Sequence, residues 1–331
     1  MVSSGVEFLL AAAVSLATSW LLVSRIERIG TRLRVSEAML GLIAALAANA
    51  PEITSSVSAL AGHQTQISAG VILGSNVFNL AALLGIGALV ARRITVHRRV
   101  VSFTGAIAVW SGGVCLATVL GAMSASVGLA LVLVVLVPYG VLAATHGRLP
   151  GVVPSTARIR RFLATVVREE EQELHESIVV PPARQVDVAA AIGALIVVVL
   201  ASVVMERSAS RLGVRFAVPA IVVGGIVLAA VTSLPNAVAG VYLAKRGRGA
   251  ASFSTAFNSN ALNIAIGYLL PATIIGIGTV SAHVTLVASW YLAMAVGLVV
   301  ATQFGAGVSR RIGAMIVVAY AAFVIVLILT T

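Results

Sequence analysis

Of the eleven acidic residues in this 331-residue chain, one stands in the middle of a long apolar run: Glu52. Glu7, Glu27, Glu37, Asp187 and Glu206 fall at the ends of such runs or between them, and Glu169, Glu170, Glu171, Glu173 and Glu176 fall in a polar central stretch. A carboxylate at the centre of a bilayer costs about 2.5–3.5 kcal/mol even on a lenient insertion scale, so it marks a functional site by default. Directly before it, Pro51 removes a backbone N–H and crowds the carbonyl of Ala47, which predicts a kinked or unwound helix. Pro235 does the same to Val231. Carbonyls freed at such helix breaks can ligate a cation, since irregular backbone at membrane depth is tolerated only when buried or lining a cavity.

The neighbours extend the pattern. Asn49 and Glu52 are three residues apart, and Thr232, Ser233 and Asn236 share the matching face beside Pro235. Ser75 with Asn79, and Ser259 with Asn263, are i,i+4 pairs that each lie on one helical face. Two crossed helix pairs would bring a carboxylate, amide oxygens, hydroxyls and carbonyls to one point. All are oxygen ligands, which suits hard cations such as Na⁺ or Ca²⁺ and not soft metals. Asn76 and Asn260 stand one position off that face and read equally well as interhelical hydrogen-bond partners.

The elements that must hold these residues follow from composition. Only 10% of the chain is charged and 60% is hydrophobic, against roughly 25% charged in a soluble domain. So few charges cannot cover a soluble surface. Ten stretches of span length follow, approximately 7–24, 38–62, 67–91, 100–120, 124–145, 187–206, 217–244, 251–275, 282–304 and 312–330. They are continuous and not alternating, so helices are expected and barrel strands are not. The net charge of +11 does not make a nucleic-acid face, because the basic residues sit in short gaps between apolar runs. One cysteine, Cys115, excludes a disulfide framework or a cysteine metal cluster. The first twenty residues lack a basic leader, so they are read as the start of a mature span.

The gaps after odd-numbered spans hold 19 of the 22 basic residues, including Arg25, Arg28, Arg92, Arg93, Lys245 and Arg310. The even gaps hold only Arg207, Arg211 and Arg215. The positive-inside rule therefore puts the odd gaps in the cytoplasm and both termini outside. The gap at 146–186 divides the spans five and five, giving a first half 1–145 and a second half 187–331. An odd number per half means that a duplicated half must be inverted. At a constant offset of 184, Gly41 meets Gly225, Pro51 meets Pro235, and Ser75, Asn76 and Asn79 meet Ser259, Asn260 and Asn263. Inverted repeats with interrupted helices near the midplane are a common architecture of secondary transporters. The expected fold is an all-α integral membrane protein of about ten transmembrane helices in a 5+5 inverted-repeat arrangement.

The stretches ANAPEITSSV…GVILGSNVFNL (48–80) and TSLPNAVAGV…AFNSNALNI (232–264) resemble the two α-repeats of the sodium/calcium exchanger family, within the cation/calcium antiporter superfamily. The layout fits as well, so the resemblance covers nearly the whole chain, with α-repeats at about 38–91 and 217–275. It implies alternating-access antiport, with cations bound at the midplane while the first and sixth spans slide across the core. The departures bear on the ion. Family members usually place Thr-Ser before x-Pro-Glu, where this chain has Ala48-Asn49-Ala50-Pro51-Glu52. They usually carry a carboxylate after the second proline, where this chain has Asn236, and often another acid where it has Asn263. Its counterpart Asn79 is also an amide.

A single carboxylate balances one Na⁺, K⁺ or Li⁺, or one proton, whereas Ca²⁺ would leave a buried positive charge costing several kcal/mol. The expectation is a cation antiporter of altered selectivity, exchanging a monovalent cation for a proton or a second cation, with Na⁺/Ca²⁺ or H⁺/Ca²⁺ exchange as the alternative. The substrates are inorganic cations, with no cofactor and no nucleic acid. An intramembrane enzyme would need a nucleophile–base pair or a metal dyad, and no histidine lies mid-span. A third class is a non-transporting sensor or scaffold. The acidic segment 166–177 reads as a solvated cytoplasmic helix, and His63, His97 and His283 as interfacial. Arginine exceeds lysine 21 to 1, which with the absence of an organellar targeting segment suggests a prokaryotic plasma membrane.

Overall fold

The computed structural model describes residues 2–33, 37–145, 165, 185–305 and 307–331. The acidic segment 166–177 and most of the 146–186 connection lie outside the described residues. Among the described residues, seven helical runs are long and apolar enough to cross a bilayer: Ser4–Gly30, Thr65–Ala91, Arg98–Val119, Ala125–Ala144, Val186–Arg215, Ala282–Phe304 and Arg310–Thr330. An eighth joins Ala220–Thr232 to Leu234–Lys245 through a bend of 49°. The two remaining expected spans are present as broken runs, at 37–61 and 249–275. Each piece is too short or too polar to qualify alone, which is what a proline and an amide cluster at membrane depth produce.

In chain order the helices are α1 (Val2–Arg32), α2 (Glu37–Ala48), α3 (Ala50–Ala61), α4 (Thr65–Asn79), α5 (Gly87–Ala91), α6 (Arg98–Val119), α7 (Ala125–Ala144) and α8 (Gln185–Arg215). They continue as α9 (Ala220–Val222), α10 (Ala229–Thr232), α11 (Leu234–Lys245), α12 (Gly249–Leu262), α13 (Leu270–Ile275), α14 (Ala282–Phe304) and α15 (Arg310–Thr330). Wider π-helical turns at Leu80–Ile86, Val223–Leu228 and Asn263–Leu269 join neighbouring pieces. The first and third occupy matching positions of the two halves, directly after the Ser-Asn motifs. A two-residue antiparallel pairing, Arg93–Ile94 with Val308–Ser309, ties the loop after α5 to the start of α15.

Helices α1 and α8 form an antiparallel pair. Their registers are fixed by Ser15 and Ser202, whose hydroxyls lie 2.9 Å apart mid-way, and by ion pairs at the two ends. Arg25 meets Asp187 at 2.6 Å at one end, and Arg211 meets Glu7 at 2.6 Å at the other. Asp187 is nearly buried, whereas both partners of the second pair are roughly half exposed, so salt screens the second pair far more. Alanines (Ala11, Ala12, Ala191, Ala194, Ala209) line much of the buried seam, which leaves little interdigitation to resist sliding.

The core packs α4, α6, α12, α14 and the π turns around Phe253, Phe257, Tyr268 and Tyr291. On the outside, Leu9, Leu10, Trp20, Val134, Leu200 and Leu329 are exposed, the apolar belt that lipid requires. Trp290 packs on Phe323, and Trp110 donates to the Leu131 carbonyl at 2.9 Å, so these two serve packing.

Backbone approaches backbone closely between α4 and the turn at Val223–Leu228. A Cβ on Gly74 would collide with the backbone of Gly225, and one on Gly224 with the carbonyl of Ile67. The positions of the second half equivalent to Gly70 and Gly74 carry Ser254 and Asn258, and Asn258 donates to the Tyr139 hydroxyl at 2.7 Å. Glycine thus lets backbone touch backbone on one side, where the other side keeps polar side chains. Gly74→Val should cost at least about 1–3 kcal/mol through overpacking, read as a lower unfolding midpoint of the detergent-purified protein. Val at Gly113, where nothing lies within 4 Å of an added Cβ, should leave that midpoint nearly unchanged.

Candidate cation site

The two expected breaks fall one residue before the proline-bearing helices. Asn49 separates α2 from α3 at φ −81°, ψ −2°, and Ser233 separates α10 from α11 at φ −84°, ψ −2°. The two halves therefore break in the same way at positions 184 apart. Pro51 and Pro235 stand in the first turn of the helix that follows, where a missing N–H is harmless. The break aims the side chains of Asn49, Glu52, Ser233 and Asn236 into one fully buried cluster.

Within it, Glu52 Oε1 accepts from Ser233 Oγ at 3.0 Å and from Asn236 Nδ2 at 3.3 Å. Asn236 Nδ2 also donates to Asn49 Oδ1 at 2.6 Å. Both neighbours of that nitrogen are acceptors, so the amide orientation is fixed and Asn236 Oδ1 points away from them. Asn49 is held on its other side by Ser259, accepting a short bond from its hydroxyl and donating to its carbonyl at 3.0 Å. Ser75, the counterpart of Ser259, instead reaches the Ala229 carbonyl at 3.4 Å. Its equivalent partner is Ser233, whose side chain is shorter than that of Asn49.

The four SN-motif asparagines form a second, symmetric set. Asn76 Nδ2 donates to the Asn260 carbonyl at 3.1 Å and Asn260 Nδ2 to the Asn76 carbonyl at 3.0 Å. Asn79 Nδ2 donates to Asn260 Oδ1 at 3.0 Å, and Asn263 Nδ2 to Asn76 Oδ1 at 3.2 Å. Each bond has its twin at the 184 offset, so the pseudo-twofold axis passes between Asn76 and Asn260. Asn76 and Asn260 are thus fully used in joining the halves. Asn79 and Asn263 spend their nitrogens on the same joint and keep their oxygens free. Thr232 bonds back to its own helix at the Leu228 carbonyl (2.8 Å) and takes no part in the cluster through that contact.

Four buried side-chain oxygens here accept no hydrogen bond: Glu52 Oε2, Asn236 Oδ1, Asn79 Oδ1 and Asn263 Oδ1. An unsatisfied buried acceptor costs about 1–3 kcal/mol, and more when ionised. Glu52, Asn236, Asn79 and Asn263 are the residues that could hold a cation. Among the described residues no three His, Cys, Asp or Glu side chains converge, so any such ion meets one carboxylate and otherwise neutral oxygens.

Two crevices flank the broken helices. One, of about 540 Å³, lies between α3 and α8 and is lined by Ile53, Thr54, Ser58, Gln64, Glu206 and Arg207. The other, of about 740 Å³, lies between α1 and α11 and includes Trp20, Glu27, Ala48, Pro235 and Tyr242. Glu206, expected at a span end, is buried within the protein. Helix α8 runs on to Arg215, and the Glu206 carboxylate is buried with only 2% of the residue exposed, accepting from Ser58 Oγ at 2.8 Å. Ser202, Glu206 and Ser210 recur every fourth residue on one buried face, which is the sequence signal that marks it.

An inverted pair of five-helix halves, broken at matching sites around buried oxygens, defines a membrane transporter for cations. The chain belongs to the sodium/calcium exchanger protein family, which it matches over residues 3–145 and 187–329. It is 34% identical over 87 residues to a candidate antiporter, CaxA, of Alkalimonas amylolytica, a match spanning 26% of this chain and 27% of that protein. The fold is similar to that of the H⁺/Ca²⁺ exchanger CAX, with a TM-score of 0.71 and 13% identity over 99% of this chain and 86% of CAX. It is also similar to YfkE (TM-score 0.65, 16% identity, 97% and 92% covered). The sodium-calcium exchanger NCX_Mj soaked with 10 mM Na⁺ gives 0.63 at 19% identity, with 97% and 98% covered.

The two sets of amides predict different losses. Asn260→Ala should strand the Asn79 nitrogen and lower stability by about 1–3 kcal/mol. Ser233→Ala removes one of two donors to Glu52 Oε1 and should cost less than Asn260→Ala. Unfolding midpoints of the two purified variants check the order.

Proposed function

We propose that the chain exchanges cations across the membrane by alternating access at Glu52, taking one monovalent cation (Na⁺, K⁺ or Li⁺) against a proton or a second cation. The observation that carries this reading is the pair of free oxygens, Glu52 Oε2 and Asn236 Oδ1, on two side chains hydrogen-bonded to each other. One cation of charge +1 neutralises Glu52, and so does one proton, so the two exclude each other. Asn49, Ser233 and Ser259 position the cluster, and Asn79, Asn263, Ser75, Thr232 and carbonyls at the Pro51 and Pro235 breaks complete the candidate ligand set. The halves 1–145 and 187–331 act as the two inverted units, and the α1–α8 pair slides across them. Both termini lie outside and the 146–186 connection is cytoplasmic, as the distribution of arginine supports.

A second reading is Na⁺/Ca²⁺ or H⁺/Ca²⁺ exchange, favoured by the names of the structurally similar proteins and by the capacity of amide and carbonyl oxygens to ligate Ca²⁺. A cation panel (Na⁺, K⁺, Li⁺, Ca²⁺, Mg²⁺, H⁺) on proteoliposomes separates the readings. The first expects monovalent-dependent proton or cation flux, lost in Glu52→Gln. Unchanged fluxes in that variant would remove Glu52 from the site, and no flux with any cation in wild type would leave a scaffold. Because proton and cation compete, the apparent cation dissociation constant should rise as pH falls, by at most tenfold per pH unit, and lose that dependence in Glu52→Gln. The orientation predicts that a reporter active only outside the membrane works when fused after Thr331.

A further inference from the structure

We propose that Glu206 is a second, outer station that binds one positive charge, a proton or a monovalent cation, on its way to or from Glu52. This rests on the reading of Glu52 as the transport site and extends it to the route. The crevice between α3 and α8 provides the space, about 540 Å³, and Glu206 provides its buried carboxylate. Thr54 and Ser58 line the same crevice, and Ser58 donates to Glu206 Oε2 at 2.8 Å. Along α3, Ser58 lies six residues beyond Glu52, about 9 Å of helical rise. Glu206 therefore meets α3 at a level separate from Glu52, beside the crevice that Ser58 lines.

The surroundings of Glu206 bear on its charge from every side. On its own helix Arg207 is exposed at the crevice and Arg211 is held by Glu7 of α1 at 2.6 Å. The only acid or base of α3 is Glu52, α4 carries none, and His63 in the turn between them is exposed. Gln64 also lines the crevice, its Oε1 accepting from Ser210 Oγ at 2.9 Å. A divalent ion would find too few oxygens here, whereas a carboxylate with one hydroxyl partner suits a single charge.

The test uses Thr54→Cys in a Cys115→Ala background, reacted with a cationic and an anionic methanethiosulfonate of similar size at low ionic strength. Glu206 should favour the cationic reagent, and Glu206→Gln should lower the cationic-to-anionic rate ratio by about fivefold. In the protein that keeps Glu206, the ratio should fall on acidification if a proton binds. It should fall on replacing N-methylglucamine with Na⁺ or K⁺ at fixed pH if a metal ion binds. A ratio unchanged by Glu206→Gln overturns the proposal. So does a ratio that drops in Glu206→Gln but ignores both pH and cations when Glu206 is present, since that is a field without binding. Adding Glu52→Gln keeps the failures apart: it should abolish flux and leave the ratio intact. Glu206→Asp should restore the ratio that Glu206→Gln loses.

Discussion

Two helix breaks, at Asn49 and Ser233, take the same backbone conformation and set Glu52 against Asn236 in the middle of an apolar protein. A carboxylate cannot sit at that depth unless donors reach it, and the donors must come from the opposite half. Ser233 and Asn236 supply them, Asn49 fixes Asn236, and Ser259 fixes Asn49. This chain of bonds crosses between the halves at every step, so neither half could bury Glu52 alone. The remaining elements follow from that need. The Asn76–Asn260 joint keeps the halves in register, and glycine-to-glycine contact lets α4 come close enough to the opposite half.

The pairing is symmetric in backbone and unsymmetric in chemistry. Asparagine at 49 reaches back to the hydroxyl-bearing helix, whereas serine at 233 does not and Ser75 turns to a carbonyl instead. Glutamate at 52 faces asparagine at 236. A pseudo-symmetric scaffold with one carboxylate on or near its axis presents the same charge whichever side is open. That is a workable basis for alternating access, because the ion is offered one binding energy from both faces.

Much of this was legible in the sequence because membrane depth restricts what each residue type can be doing. Pro51 and Pro235 mark the breaks, and the 184-residue offset marks the duplication, since prolines and amides in apolar runs are rarely accidental. Less legible were the roles of individual amides. Spacing placed Asn79 and Asn263 on the face of Ser75 and Ser259, yet the helix widens to π geometry at or just after them and their nitrogens enter the joint between halves. Thr232 shares the face of Asn236 by spacing, but its hydroxyl has a nearer partner in its own preceding turn. The burial of Glu206 was not legible because it comes from packing against α3, a contact that span boundaries do not show.

Glu206 also breaks the equivalence of the two routes. The crevice on the α3–α8 side carries a buried acid with Thr54, Ser58 and Gln64, while that on the α1–α11 side is mostly apolar, with Glu27 and Ser24 among Leu16, Trp20, Val23 and Leu234. The first crevice thus offers a carboxylate beside hydroxyls, whereas the wall of the other is hydrocarbon for much of its length. Binding at the centre can be the same from both faces while the rates of reaching it differ. On the exchange proposed above, the single charge at Glu52 would set the ion, and the rate on one face would be set by a charge the repeat does not duplicate.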